Sequence, residues 1–446
     1  MNADDIALPA RQMESIKLDN LLINFTTEFQ RIWDSRGSGS KPGSFWRPTP
    51  APDLLPGYFP LGDVVAPGFE NINQNSIVAV VCEGDPQLQD ASKGKALSRP
   101  DDFEQVWRDS GSGARSDLTI WRPIPPHGYV ALGVVCSNGR DKPLLNTVRC
   151  VRSDLAIASS ISHMIWSDEG SAAKEKFSAW AIQPPTAAAG EIYFSSGNFI
   201  ATPSYKRPAT NVVAYSLRMQ IPLRADPPLV PPALSGYELP QSEETAKSTQ
   251  IARLPWFTIL DPGLSPLEQL RTSAFYRLER VDQYVRIGHG HNKSTVGQNF
   301  KWTTSRAQSV ETLEAFSDIT SIKIRTDWPF NVTNLQTLSW LLSSSVRFSA
   351  RLSKDFTHTE PSSTSWSAPA AMEVITIVPK HKFAVVYQIQ SDYRLLREDG
   401  TQVATDISYT DTDSLYLTEY PSENDCEVID TSLPLADSSA PIDTVP

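Results

Sequence analysis

The side chains that say most about chemistry in this chain lie near residue 320, and they are not titratable. From Ser321 the sequence reads SIKIRTDWPFNVTNLQTLSWLLSSSVRFSARLSKD. Ile322, Ile324, Thr326, Trp328, Phe330 and Val332 fall on alternate positions, with Lys323, Arg325, Asp327, Asn331 and Thr333 between them. The alternation returns with Val346, Phe348, Ala350 and Leu352 against Arg347, Ser349, Arg351 and Ser353. Period-two patterning puts one set on one face of a strand and the other set on the opposite face. Between the runs, Leu335 to Leu342 is apolar (Leu338, Trp340, Leu341 and Leu342 among them), where a turn in water is normally polar. The runs are about 12 and 8 residues long, near the ~9–11 that a tilted strand needs to cross a bilayer. A single hairpin cannot cross, because its edges would leave backbone groups unpaired in hydrocarbon. Copies from other chains would have to close a barrel. The same alternation also lines ordinary sandwich cores, so the pattern implies a pore only together with the rest of the chain.

Catalytic chemistry finds less support. His289-Gly290-His291 is the one close histidine pair, with Asp282 nearby, but a third ligand at useful spacing is missing and a turn is the simpler reading. GxSxG, HExxH, Walker A and GxGxxG are all absent. The turns at Gly37 to Gly39 and Gly111 to Gly113 do not sit between a strand and a helix, so they read as tight hairpin turns. No enzyme activity, metal or cofactor is expected.

The composition bounds what can position these residues. With 446 residues the chain can build two or three cores. Its 40 Lys and Arg against 51 Asp and Glu argue against nucleic acid as a partner and against a simple electrostatic grip on anionic lipid. Cys82, Cys136, Cys150 and Cys426 have no metal spacing and read as reduced structural thiols. MNADDIALPARQ shows neither a basic nor an apolar leader region, so no Sec-type signal is expected, and no window is long and apolar enough for a membrane-spanning helix. Membrane contact would then come from a soluble form, released by the producing cell, that converts at a target membrane. Many aromatics, 35 prolines and little helical periodicity indicate an all-β chain.

From Phe29 the chain repeats itself. Trp33, Trp107 and Trp166 open three units, and Trp46, Trp121 and Trp180 follow. Next come Tyr58 with Gly62, Tyr129 with Gly133, and Tyr193 with Gly197, then Asn75, Asn146 and Asn211, each ahead of an apolar strand. About four short strands per unit are expected. One such sheet cannot hide its apolar face alone, so three units suggest a three-sided prism with a common core, the rival being an open row of small β-sandwiches. The opening tryptophans read as core. Asp34, Asp109 and Asp168 would lie beside the first turns at one end of the prism. With Asn75, Asn146 and Asn211 they are candidate receptor-binding residues, although for the asparagines a structural, turn-capping role is the favoured reading.

The segments IWD..GSG…FWRP…GY..LGD and VWRDSGSG…IWRP…GYVALG resemble the vacuolar-protein-sorting-associated family 62 repeat. The third unit keeps both tryptophans but reads WAIQP, so whatever Arg47 and Arg122 do is missing there. Residues 252–418 more weakly resemble aerolysin-like and epsilon-toxin or mosquitocidal-type pore formers, in which long strands bracket a Ser/Thr-rich stem hairpin. Here the stem is shorter and carries Pro329, which only an edge or a bend accommodates. The two resemblances imply an insecticidal-type, non-enzymatic toxin that meets a glycan or glycoprotein receptor through its prism and then oligomerises in a target-cell membrane. They leave room for a second component. The rival expectation is an intracellular binding or trafficking module on the same repeats.

The expected order is a lead-in over residues 1–24, with a short helix over Met13 to Leu22, and a three-repeat prism over 25–218. A Pro-rich linker follows over 219–250, extended rather than packed. An elongated aerolysin-like β-sheet domain over 251–420 contains the amphipathic hairpin 321–354 and a short helix near Leu264 to Thr272. An acidic tail over 421–446 is expected to be mobile.

Overall fold

A computed structural model of the chain describes residues 13–85, 93–209, 213–240, 246–304, 346–351 and 372–422. The hairpin candidates Ile322 to Leu342 and Leu352, the candidate Asn211, and the chain beyond Ser422 lie outside the described residues. Among the described residues the fold is all-β. Its α-helix, Pro266–Thr272, falls where expected, started by a capping box in which Ser265 and Glu268 bond each other's backbone N–H.

The lead-in departs from expectation. Ile16–Leu18 and Leu21–Thr26 are antiparallel strands, and Asp19 adopts a left-handed φ of 54° in the turn between them. Ile16, Leu21, Ile23 and Phe25 are all buried, so tertiary packing overrides the local helical reading.

The first two repeats each build two small sheets, not one, and the third joins both into a single six-stranded sheet through its long strand Ala156–Ser167. In the first unit Phe29–Asp34, Gly43–Pro48 and Val64–Pro67 form an antiparallel sheet. Asp102–Arg108, Leu118–Ile124 and Val135–Asn138 do so in the second. In the third it is Ala156–Ser167, Ser178–Gln183 and Phe199–Thr202. In the first two units the closing strand leaves that sheet. Val78–Glu83 pairs with Leu21–Thr26 and Phe59–Pro60, and Cys150–Arg152 pairs with Leu97–Ser98 and Tyr129–Val130. In the third unit Ala214–Gln220 pairs with the start of the long Ala156 strand and with Glu191–Phe194. The strand after the glycine and the strand before the unit are what the four-strand reading missed.

The two tryptophans of a unit bury on different layers. Trp33, Trp107 and Trp166 meet in one core with Phe45, Leu118, Ile120, Phe177 and Phe199. Trp46, Trp121 and Trp180 each sit in a small separate cluster of their own unit. Three residues before these second tryptophans stand Gly43, Leu118 and Phe177. The glycine is required, because a Cβ there would overlap the Trp166 ring.

The second half is a five-stranded antiparallel sheet in the order Leu223–Ala225, Lys247–Pro255, Phe275–His291, Phe383–Leu396, Ile407–Tyr420. Its central strand of 17 residues spans about 55 Å. A two-stranded ribbon, Gln298–Thr304 with Met372–Val378, lies beside it. One continuous core joins the halves, through Phe25 against Trp256 and Phe257, and Phe194 against Phe257. The Pro-rich segment is not free of the sheet. Leu229, Leu234 and Leu239 pack on Tyr284, Phe383, Val385 and Tyr387, and Tyr237 stacks on His291. Apolar residues spaced among the prolines outweigh the composition that suggested an unpacked linker.

Candidate functional site

The prism closes on itself through its tryptophans. The Trp33 indole N–H donates to the Ser116 carbonyl at 2.6 Å, Trp107 to Glu175 at 3.0 Å, and Trp166 to Lys41 at 2.8 Å. Each bond runs from one unit to the next, and the third returns to the first. An open row of sandwiches could not complete that cycle. The Gly-Ser-Gly turns meet at this end, where an added Cβ on Gly37 would stand 2.7 Å from the Gly113 carbonyl and one on Gly39 3.0 Å from Gly170. These glycines have φ of 93° and 79°, so both backbone and space demand them.

The three aspartates do gather at these turns, but they face inward. Asp109 is 1% exposed and accepts from the Ser112 N–H and Oγ at 3.2 and 2.6 Å. Asp168 is 3% exposed and accepts from the Phe177 N–H at 2.8 Å. Burial pushes both carboxyls up, with Ser112 and the Phe177 N–H opposing it. Asp34 is half-buried and pairs with Arg36 at 2.8 Å. Asp109 and Asp168 therefore hold their turns together and are closed to a receptor. Asn75 and Asn146 are exposed, and both brace loops. Asn75 donates to Asn71 and Asn73 carbonyls at 3.3 Å, while the Asn146 Oδ1 accepts from Arg149 at 2.7 Å.

The repeated Arg plays two roles. Arg47 makes a bidentate pair with buried Asp63 at 3.0 and 2.9 Å. It also donates to the Cys136 carbonyl, while the Cys136 N–H donates to Asp63, both at 2.6 Å. This locks unit one to unit two. Burial pushes the Asp63 carboxyl up, and Arg47 opposes the shift. Arg122 instead makes an exposed pair with Glu104 at 3.0 Å.

The ribbon brackets the amphipathic stretch in sequence. The ladder between Gln298–Thr304 and Met372–Val378 closes on Thr304 opposite Met372, and residues 305–371 depart from and return to that pair. The ribbon lies on the long strand through Phe300 and Trp302, which occupy the spaces where Gly290 and Gly288 lack side chains. Its outer face exposes Ile375 and Ile377. His289 and His291 lie on the other side of the strand, beside Phe383. Among the described residues no group of three metal-ligating side chains forms.

One part of the excursion, residues 346–351, is described, and it is parked on the prism. Phe348–Arg351 pairs antiparallel with Glu191–Phe194 of the third unit. Val346 and Phe348 are buried in the core shared by both halves, Phe348 against Phe257. Arg347 holds the start of this strand with no carboxylate among the described residues. Its guanidinium donates to Ser162 at 3.0 Å, lies 3.4 Å from Gln183 Oε1, and meets the His163 ring at 3.0 Å. Burial lowers the Arg347 guanidinium, and burial together with Arg347 lowers the His163 imidazole. Sequence reading could not find this docking, since nothing local in SSVRFSAR names its partner strand.

Residues 10–222 match the model of the family described as vacuolar protein sorting-associated protein 62. No curated protein matches the chain. Among solved structures, GNIP1Aa from Chromobacterium piscinae is similar at 24% identity and a TM-score of 0.36, over 45% of this chain and 37% of that one. Cry35Ab1 is similar at 11% identity and a TM-score of 0.32, over 75% of this chain and 91% of that one. Superpositions this loose carry no argument about what the chain does.

Proposed function

For a chain whose first half carries repeats of the vacuolar protein sorting-associated protein 62 type, we propose a β-pore-forming toxin. The prism binds a host cell-surface receptor, glycan or glycoprotein, and the second half oligomerises and inserts a hairpin into the target membrane. The observation that supports this most concerns the amphipathic sequence, which the ribbon brackets. It leaves from a paired two-stranded ribbon, so extending that ladder from Thr304 and Met372 would lengthen an existing hairpin with no change of topology. Alternation in residues 322–332 supplies one face for lipid and one for a water-filled lumen. Strand 348–351 would have to leave the prism, and Val346 and Phe348 would exchange a protein core for hydrocarbon.

The likeness of residues 10–222 to a vacuolar sorting family favours a second reading, an intracellular binding or trafficking module with a plain β-sandwich behind it. One experiment separates the two. Purified protein is mixed with dye-loaded vesicles and with target-cell membranes, and the products are imaged. Dye release with ring-shaped oligomers is expected. Intact vesicles and a persistent monomer on both membranes would sink the pore reading.

A further inference from the structure

Loop 140–149 of the second unit differs from its counterpart in the first. There the loop before Asn75 turns Ile72 into the core. Here Leu144 is 79% exposed and Leu145 43%, at the tip of a turn closed by the Thr147 N–H donating to the Leu144 carbonyl at 2.9 Å. Isolated exposed leucines are ordinary, but two adjacent at the tip of one turn are not. Behind them sits Arg149, only 9% exposed. Its guanidinium lies 3.4 Å from the Phe59 ring centroid and donates to uncharged acceptors: the Asn146 Oδ1 and the carbonyls of Asn146 and Val148. Among the described residues no carboxylate pairs with it. Arg99, the charged group that bears on it, is exposed and makes no side-chain bond among the described residues. Burial and Arg99 push the Arg149 guanidinium down to about 10. A cation this buried normally has an anion beside it. Nearby Lys142 and Arg140 are already committed to Asp102 and Asp117.

We propose that this loop docks on a phospholipid surface, with Leu144 and Leu145 entering the interfacial zone and Arg99 and Arg149 taking a headgroup phosphate. Protruding apolar side chains suit a soft medium that closes around them, whereas an acidic protein partner would call for a concave groove. The phosphate supplies a counter-ion that the described residues do not, and it is present in zwitterionic as well as anionic lipid. The docking therefore does not depend on the chain's net charge of -11. It goes beyond the pore reading, since it requires neither oligomers nor insertion.

The test is co-sedimentation of the full chain with phosphatidylcholine vesicles, with and without phosphatidylserine, alongside dye release. Leu144→Ser with Leu145→Ser should weaken vesicle binding roughly tenfold or more while leaving the melt unchanged. Arg99→Ala, at an exposed site with no side-chain bond among the described residues, should weaken it by several-fold even if Arg149→Ala fails to fold. Wild-type binding by the double leucine variant would overturn the proposal. So would variants that keep vesicles but lose a soluble polyglutamate probe, since the site would then read acidic polypeptide. Binding lost in the variants while wild type binds without leakage would sustain the docking and defeat the pore. Unaltered leakage by the double leucine variant would do the reverse.

Discussion

The two halves of this protein hide their apolar residues in opposite ways. The prism puts its opening tryptophans into one aromatic core, and each indole bonds the neighbouring unit in a closed cycle. The second half is an open sheet with a ribbon seated on two glycines, two isoleucines left in water, and one strand lent to the prism. Removing any one part of the prism breaks a ring. Removing the ribbon from the sheet or strand 348–351 from the prism breaks only one face of contact. The first arrangement suits a rigid platform, and the second suits a segment that must change partners.

The sharpest way to break this contrast is at the ring. Trp107→Ala should cost about 3–5 kcal/mol and lower the melt of the whole protein, because the prism core is closed by all three tryptophans. A near-neutral melt would mean the cycle is ornamental. Next comes the ribbon. Gly288→Val should displace Trp302 and destabilise the seat by about 1–3 kcal/mol. Vesicle leakage should then begin sooner, with the thermal transition of the prism unmoved. If leakage is unchanged while the ribbon becomes protease-sensitive, the ribbon is not part of the conversion.

The smallest effect concerns pH. The His163 imidazole is lowered in the folded protein, so the unfolded chain binds more protons in the window just below the ordinary histidine value of 6.5. Docking of strand 348–351 is therefore undisturbed above that value. It weakens as pH falls toward the lowered folded value, when two cations face each other. Proteolysis within residues 346–351 should rise modestly from neutral to mildly acidic pH, and His163→Gln should flatten the rise. An equal rise in the variant would show that another group carries the response.

Much of the prism was legible because its signals are local and repeated: Trp33, Trp107 and Trp166 are core, as their spacing implied. The glycine register was nearly so. Strand pairing sets Trp46 opposite Val64 and Trp180 opposite Ile200, which makes Asn198, not Gly197, the counterpart of Gly62. A one-residue slip like this is visible only once partners are known. The lead-in was misread because Asp19 and Asn20 make a turn whose flanking strands are chosen by distant Val78–Glu83. Asp109 and Asp168 looked like rim carboxylates because sequence shows their neighbours but not which way they face. The seats at Gly288 and Gly290 were beyond reach, since the residues that fill them lie on another strand.

Gly43 has a last consequence. At the three matching places stand nothing, an isobutyl group and a benzyl ring, and the Trp166 indole occupies the space left by the first. The units have thus ceased to be spare parts for one another. A chain in which the second unit was copied over the first would drive the Leu118 side chain into that indole, although every recognisable motif of the repeat would still be in place. Shuffling or adding units should therefore fail here, and the number three belongs to the protein as a whole rather than to the repeat.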